Sequence, residues 1–322
     1  MKFKVKPEDF VVKEICNLDY KDRGEYGYFV LWKRNYTTQR AIEKIAQILN
    51  VNARNINYSG LKDKISISEQ YISVNGYKQG KFKWKKNDLG VWFLGYGNKR
   101  INLGDSKFNA FLIVVRELSK KNKIECNYLE NYFDEQRLGV GNENVIVGKK
   151  LLKRDFKGIC DMLNIQVING DYVGALRRFD KRILRIYLHA YQSFLFNEVL
   201  KEYIKLNFKD YKQKEGFLFL DLKEKIDLKI PLFNFDTEFK DKNIEEIYLT
   251  ILKREGMDKK EFLIREMPEL INLGVERDGF VKVEKISYKY DFDDMNKGKL
   301  KCVLSFRLPA GSYATILLKK IF

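Results

Sequence analysis

The chain has 322 residues and a formal net charge of +17, from 61 Lys and Arg against 44 Asp and Glu. Its 45% hydrophobic content is enough to bury a core in one large or two ordinary domains. One histidine excludes a multi-histidine metal site, and four scattered cysteines without a CxxC pair argue against structural zinc. The charge excess indicates a polyanionic partner.

Residues 1–7 lack the apolar core of a secretory signal peptide, and no stretch approaches the roughly 20 apolar residues that cross a bilayer. We therefore expect a soluble, cytoplasmic protein with reduced thiols and no membrane partner.

The first third of the chain is predicted to be rich in β-strand. Alternation predicts a strand over residues 2–6, and β-branched or aromatic runs predict strands over residues 10–15 and 26–32. Thr37 or Thr38 is predicted to cap a helix that ends near Asn50. Strands over 56–58, 70–74 and 108–115 follow, and the last, apolar on both faces, is predicted to be central in its sheet.

The middle of the chain is helical in pattern, and the end returns to strand pattern. A long helical segment is predicted over residues 187–203 and another helix near 244–255, with little periodicity between them. Leu304, Phe306 and Leu308 alternate as in a strand, and a further strand is predicted over 316–318. Strand-rich ends around a helical middle predict one domain split by an insertion.

A carboxylate between two lysines follows a glycine in the segment Gly-Leu-Lys-Asp-Lys, residues 60–64. The positive charge of Lys62 and Lys64 favours the ionised form of Asp63, which suits a nucleophile or a base better than a general acid. The alternative is a solvated charged turn.

Asn109 and Phe111 lie two residues apart on a predicted strand and so project from one face. An amide beside an aromatic ring can hold a nucleic-acid base, although core packing is the alternative. The small residues within 308–313 either allow the backbone of a ligand to approach closely or form a plain tight turn. His189, within a helical segment, is more readily structural than catalytic.

The basic residues fit contact with RNA phosphates, with a solvated helix face as the alternative for the run 177–185. The candidates are Lys62, Lys64, Arg177, Arg178, Lys181, Arg182 and Arg185.

Seven motifs occur in order along the chain, at residues 4–12, 34–38, 60–64, 109–111, 131–139, 190–197 and 306–315. With them the sequence resembles the TruD family of tRNA pseudouridine synthases, nearer its archaeal members. The resemblance is good at both ends and poor over about 200–265. It implies an α+β (mixed α/β) fold: a catalytic domain with a central mixed or antiparallel sheet, residues 1–140 plus 281–322, split by a largely helical TRUD-type domain, residues 141–280.

The resemblance also implies the reaction, the isomerisation of a specific uridine to pseudouridine in tRNA or other structured RNA. It implies no cofactor, no metal and no obligate protein partner; uridine 13 of tRNA is the family's target. Asp63 then is the nucleophilic aspartate and Lys4 its basic partner, a role that other pseudouridine synthases give to arginine. Phe111 stacks on the uracil where most of them have tyrosine. Further residues implied to contact the nucleotide are Phe10, Asn109 and Tyr313.

The chain departs from the family pattern in two places. One is the segment 65–70 after the Asp63 motif, and the other is Leu138, where a phenylalanine is usual. The competing function is a non-catalytic RNA-binding protein or RNA chaperone on the same scaffold. A binding-only descendant has no reason to keep Lys4, Asp63 and Phe111 together. A deaminase or a methyltransferase is disfavoured because a zinc ligand set and a GxGxxG nucleotide motif are missing.

Overall fold

The computed structural model describes residues 2–270 and 274–322. The chain folds into two compact units. Unit 1 comprises Met1–Asn127, Lys282–Ala314 and Ile321–Phe322, and unit 2 comprises Tyr128–Val281 and Thr315–Lys320. The assignment of a catalytic domain to residues 1–140 plus 281–322 and of an inserted domain to 141–280 stays a prediction.

Unit 1 is built on a nine-stranded sheet. The strands are β1 (Phe10–Ile15), β2 (Tyr26–Arg34), β3 (Ile56–Tyr58), β4 (Ile67–Asn75), β5 (Lys83–Lys86), β6 (Leu89–Gly97), β7 (Phe108–Leu118), β14 (Glu284–Phe292) and β15 (Leu300–Pro309). Their order is β14-β15-β7-β1-β4-β2-β6-β5, with β3 also paired to β4. Neighbouring strands run antiparallel except β1 and β4, which are parallel, so the predicted mixed sheet is confirmed. The strand predicted to be central, β7, lies between β1 and β15.

One helix, α1 (Thr38–Leu49), packs on this sheet. The Thr37 side chain accepts a hydrogen bond from the Arg40 N–H at 3.3 Å, and Asn50 ends the helix in the left-handed region at φ 53°. The predicted helix is therefore confirmed at both ends. Its apolar stripe packs against buried residues of β2, β4 and β6, and each buried isoleucine or leucine of the stripe contributes about 1.5–3 kcal/mol.

Unit 2 is mainly helical and also contains short strand pairs. The helices are α2 (Glu135–Leu138), α3 (Glu143–Leu152), α4 (Phe156–Met162), α5 (Tyr172–Arg178), α6 (Lys181–Asn207), α7 (Lys242–Glu255) and α8 (Ala314–Ile321). The paired strands are β8 (Tyr128–Glu130) with β13 (Phe280–Lys282), β9 (Lys212–Lys214) with β10 (Phe217–Phe219), and β11 (Lys229–Pro231) with β12 (Glu276–Asp278). The longest helix, α6, starts earlier than predicted, because the Asp180 carboxylate caps it at the Arg182 N–H. In the described part of the chain, no helix is both long and apolar enough to cross a membrane.

Two predicted strands are wrong. Residues 2–6 make one isolated bridge, from Lys2 to Arg116, and the chain then leaves extended conformation because Lys4 has a φ of +57°. Residues 316–318 belong to helix α8, where all three side chains are buried. A run of three apolar residues carries no periodicity that separates a helix from a strand.

Candidate active site

Polar side chains from several strands lie on one face of the unit 1 sheet. Residues directly opposite each other on neighbouring strands point to the same side. Glu14 pairs with Asn109, Val12 pairs with both Phe111 and Ser68, and Ser68 pairs with Lys33. Because alternate residues of a strand share a face, these pairings place Glu14, Asn109, Phe111 and Lys33 on the same side.

The segment that carries Asp63 connects β3 to β4, and side chains hold its main chain in place. The Lys62 N–H donates to Thr38 Oγ1 at 2.9 Å, and Gln70 Nε2 donates to the Gly60 carbonyl at 3.1 Å. Ser66 Oγ donates to the Asp63 carbonyl at 2.7 Å. The backbone around Asp63 is therefore fixed by bonds that do not use its carboxylate.

Lys33 lies under this segment and is fully buried. Its Nζ donates to the carbonyls of Tyr36 and Asp63, both at 2.7 Å, and to that of Lys62 at 3.4 Å. Burial lowers the pKa of Lys33 to about 8, although the nearby Asp63 carboxylate opposes the effect.

The Asp63 carboxylate forms an ion pair with Lys4, at 2.5 Å between Oδ2 and Nζ. The two side chains are 21% and 24% exposed, so a ligand can reach the pair. The Lys4 ammonium also lies 4.2 Å from the centre of the Phe10 ring. The contact is a charge-assisted hydrogen bond between an ammonium and a carboxylate.

The chain on both sides of Lys4 is anchored by buried Arg116. Its Nε and Nη2 donate to the two Asp9 oxygens at 3.0 and 2.8 Å, and its Nη1 donates to Asp293 at 2.8 Å. These bonds, chiefly those with Asp9, raise the pKa of Arg116. The main chain of Arg116 also exchanges two hydrogen bonds with Lys2. The strained backbone of Lys4 is thus held between two fixed points.

Lys62 has an environment different from the one predicted. Its side chain is 9% exposed, and its Nζ donates to Glu14 Oε1 at 2.7 Å and to Asn109 Oδ1 at 3.2 Å. Glu14, itself buried, also accepts bonds from Ser59 and from the Tyr71 N–H. This ammonium already has two partners within the protein, and its predicted role as a phosphate ligand stays a prediction.

The aromatic residues of the site are packed together. Phe111 is 8% exposed and stacks on Phe306 with ring centres 5.2 Å apart, while Phe10 meets it edge-on at 6.0 Å. The structure therefore connects Asp63, Lys4, Phe10 and Phe111 through a continuous series of contacts. Asn109 joins the same cluster through Lys62.

Two predicted residues lie at the margins of this cluster. Lys64 is exposed on the Asp63 segment. Tyr313 is half-buried and follows the turn after β15, the strand whose Leu308 pairs with Asn109. Gly311 takes a φ of +83° in that turn, a conformation that favours glycine.

The predicted basic run lies in unit 2, at the end of α5 and the start of α6. Arg177 donates two bonds to the Glu266 carbonyl, and Arg185 donates one to the Glu269 carbonyl. Lys181 pairs with the Glu269 carboxylate at 3.2 Å and Arg182 with Asp180 at 2.7 Å, while Arg178 is exposed. The contacts of Arg177, Lys181 and Arg182 are at the surface and leave these charges open to solvent, whereas Arg185 is half-buried.

Two other motifs of the sequence form a buried contact within unit 2. The Asn197 side-chain amide accepts a bond from the Phe133 N–H at 2.9 Å and donates one to the Phe133 carbonyl at 2.8 Å.

Burial, and then the charges of Arg137 and Arg185, lower the pKa of His189 to about 4. The imidazole is therefore neutral at physiological pH, and the structural role of His189 stays a prediction.

Sequence reasoning missed Lys33 and Glu14, two charged residues on a buried sheet face. A signal was present: Lys33 follows Phe29 and Leu31 at a spacing of two, and Glu14 follows Phe10 and Val12 in the same way. A charge at an apolar position of an alternating pattern marks a group with a buried partner.

Comparison with known proteins supplies independent information. The family model for tRNA pseudouridine synthase D (TruD) matches residues 1–168, 160–221 and 212–321. The chain is 32% identical to tRNA pseudouridine synthase D of Aquifex aeolicus, over the whole chain and 98% of the relative. It is 31% identical to a Methanocaldococcus jannaschii protein assigned as tRNA pseudouridine synthase D 2, over the whole chain and 92% of that protein. The crystal structure assigned to TruD of Methanosarcina mazei has the same fold, with a TM-score of 0.70 and 23% identity over 99% of this chain and 92% of that one.

Proposed function

The chain belongs to the TruD family of tRNA pseudouridine synthases, and on that premise we propose that it converts uridine 13 of tRNA to pseudouridine with Asp63 as the reacting carboxylate. The enzyme is an isomerase that acts on tRNA. The proposal adds the identity of the uridine and the residues that carry out the reaction.

The Asp63–Lys4 pair is the observation that carries the proposal. The reaction breaks the N1–C1′ bond of uridine, turns the base and joins C5 to C1′, while the proton on C5 is lost and N1 gains one. An ionised carboxylate serves either route to this product, by attack on C1′ or by removal of a sugar proton that leaves a glycal. The Lys4 ammonium lies 2.5 Å from the Asp63 carboxylate and pairs with it, while the Asp63 side chain stays 21% exposed.

Asn109 is proposed to recognise the uracil as a hydrogen-bond donor. An ammonium has only N–H groups, so the Asn109 amide oxygen must face Lys62, and its NH₂ group faces away. Such an amide donates to a uracil carbonyl. Lys62 and Glu14 then orient the amide rather than touch the RNA.

The aromatic pair is proposed to receive the base once it has left the tRNA stack. Chemistry on a base requires that it be flipped out, and an aromatic platform compensates for the lost stacking. Phe10 adjoins the Lys4 ammonium, Phe111 meets the Phe10 ring edge-on, and the two rings provide that apolar surface.

The test is to map pseudouridine in unmodified tRNA transcripts treated with the purified protein. Carbodiimide labelling followed by primer extension is expected to give one new stop, at position 13. A transcript with cytidine at that position is the matched control and is expected to give none. A stop at another uridine would overturn the position, and no stop in any transcript that the protein binds would favour the non-catalytic RNA-binding alternative.

A further inference from the structure

We propose that Lys33 is a positioning residue for the isomerisation: its ammonium fixes the main chain on both sides of Asp63 and thereby the direction of the reacting carboxylate. The inference rests on the proposed function of Asp63. Lys33 itself lies beneath the Asp63 segment, fully buried, so it acts through the backbone and not on the substrate.

The geometry of the contacts supports this role. The Lys62 carbonyl belongs to the peptide that precedes the Asp63 Cα, and the Asp63 carbonyl belongs to the peptide that follows it. Lys33 Nζ donates to both, at 3.4 and 2.7 Å. Both peptide planes flanking the Asp63 Cα are therefore tied to one atom, and rotation of either plane would turn the carboxylate.

The third N–H of the ammonium extends the anchor to another element. It donates to the Tyr36 carbonyl at 2.7 Å, in the segment directly before the cap of α1. Three donors and three carbonyl acceptors thus connect β2, the start of α1 and the Asp63 segment. A neutral amine offers only two N–H groups and cannot hold all three carbonyls.

A lysine at this position is costly for folding. A buried ammonium without full compensation is less favourable than an apolar side chain of similar size. The compensation here comes from the three carbonyls and from the Asp63 carboxylate, while Lys62 on the same segment acts against it. A charge retained at this cost fits a functional role better than a structural one.

The protonation of Lys33 makes the proposal testable by pH. Burial lowers its pKa to about 8, so the ammonium is present below that pH and lost above it. We expect turnover to fall as pH rises through about 8. Stability responds with the opposite sign: between the folded pKa and the ordinary value of 10.5, the unfolded chain binds a proton that the folded chain does not, so this residue's contribution to stability rises with pH. A loss of activity caused by deprotonation of Lys33 is therefore not caused by a fall in this residue's contribution to stability.

The experiment compares Lys33→Met and Lys33→Arg in the full chain with Lys44→Met, a change at an exposed position of α1. Single-turnover rates and tRNA dissociation constants are measured from about pH 6.5 to about 9.5, a range that spans the expected pKa of Lys33. For Lys33→Met we expect a rate loss of about 100-fold at pH 7, as for a catalytic group displaced by about 1 Å, with tRNA affinity within about threefold. The alkaline fall is expected to disappear in this variant. Lys33→Arg, charged throughout, is expected to be more active than Lys33→Met and to lack the fall, while Lys44→Met matches the wild type.

The results that overturn the proposal are distinct from those that overturn the proposed function. A folded Lys33→Met protein with the wild-type rate, or one that keeps the alkaline fall, excludes the positioning role. If Lys33→Met does not fold, a wild-type rate that stays flat through the alkaline range excludes it as well. Full activity of Asp63→Asn would instead remove the proposed role of Asp63, whatever the Lys33 variants show.

Discussion

Two basic regions of this protein use their charge in different ways. Around Asp63, the cations Lys4, Lys33 and Lys62 are at most a quarter exposed and donate to carboxylates, an amide oxygen or main-chain carbonyls. In the run from Arg177 to Arg185, by contrast, the Lys181 and Arg182 side chains are 51% and 76% exposed. The difference shows that a high density of lysine and arginine in sequence does not distinguish charges that are enclosed by the protein from charges that are open to solvent. Burial makes that distinction. The interactions of enclosed charges depend on the geometry of their partners, whereas those of exposed charges are screened by salt.

Lys62→Met is expected to have the largest effect, a loss of folding stability. It leaves the buried Glu14 carboxylate without its cation, and the loss of one partner of a buried pair costs about 3–5 kcal/mol. Thermal and urea unfolding should show this loss, and Glu14→Gln in the same chain should restore part of it. The slope of tRNA affinity against salt should stay as in the wild type; a smaller slope would mean that Lys62 contacts phosphate after all.

Lys4→Met is expected to reduce the rate of pseudouridine formation by about 10²–10³-fold, the usual loss when one stabilising donor is removed from an active site. Lys2→Met is the matched control, because Lys2 is 63% exposed and pairs with Glu117 at the surface. Lys4→Arg should lose less than Lys4→Met. Equal rates for Lys4→Met and Lys2→Met would show that Lys4 acts only as a surface charge, with no role in the reaction.

Phe111→Ala is expected to lower kcat/KM by a factor equivalent to about 1–3 kcal/mol, the range for stacking of a base on an aromatic ring. Because Phe111 is buried, the variant also loses stability, so Phe306→Ala serves as the control for packing. Both changes should lower the melting temperature. A kcat/KM loss no greater in Phe111→Ala than in Phe306→Ala would show that Phe111 is core.

The smallest effect is expected in the basic run of unit 2. The double change Arg178→Gln and Lys181→Gln should reduce the slope of log affinity against log salt by roughly 0.7–0.9 for each phosphate that is no longer neutralised. The rate at saturating tRNA should not change. A lower rate with an unchanged slope would contradict the comparison, because the exposed run would then act in the reaction and not in salt-dependent binding.

The sequence alone predicted those parts of the fold that depend on local chemistry. Thr37 and Asn50 delimit α1 through capping, a run of β-branched and aromatic residues located β1, and alternation located β15. The strand predicted over residues 2–6 is wrong because the left-handed backbone at Lys4 is held by tertiary contacts of its neighbours, which alternation does not encode.

The site was less accessible to local reasoning. Lys4 and Asp63 are 59 positions apart, and their pairing was implied by resemblance to a family, not by spacing. Lys33 and Glu14 were missed because each interrupts an apolar pattern by one residue, and their partners lie on other elements. A charge on a buried strand face is readable in sequence, but its partner is not.

The role of Asp63 is tested most directly by Asp63→Asn, which keeps the shape of the side chain and removes its charge. Single-turnover pseudouridine formation, measured by the carbodiimide assay, is read beside the tRNA dissociation constant. We expect no product above background and affinity within about threefold, because the carboxylate is needed for chemistry rather than for binding phosphates. Product above background in this variant would contradict the assignment of Asp63 as the reacting carboxylate.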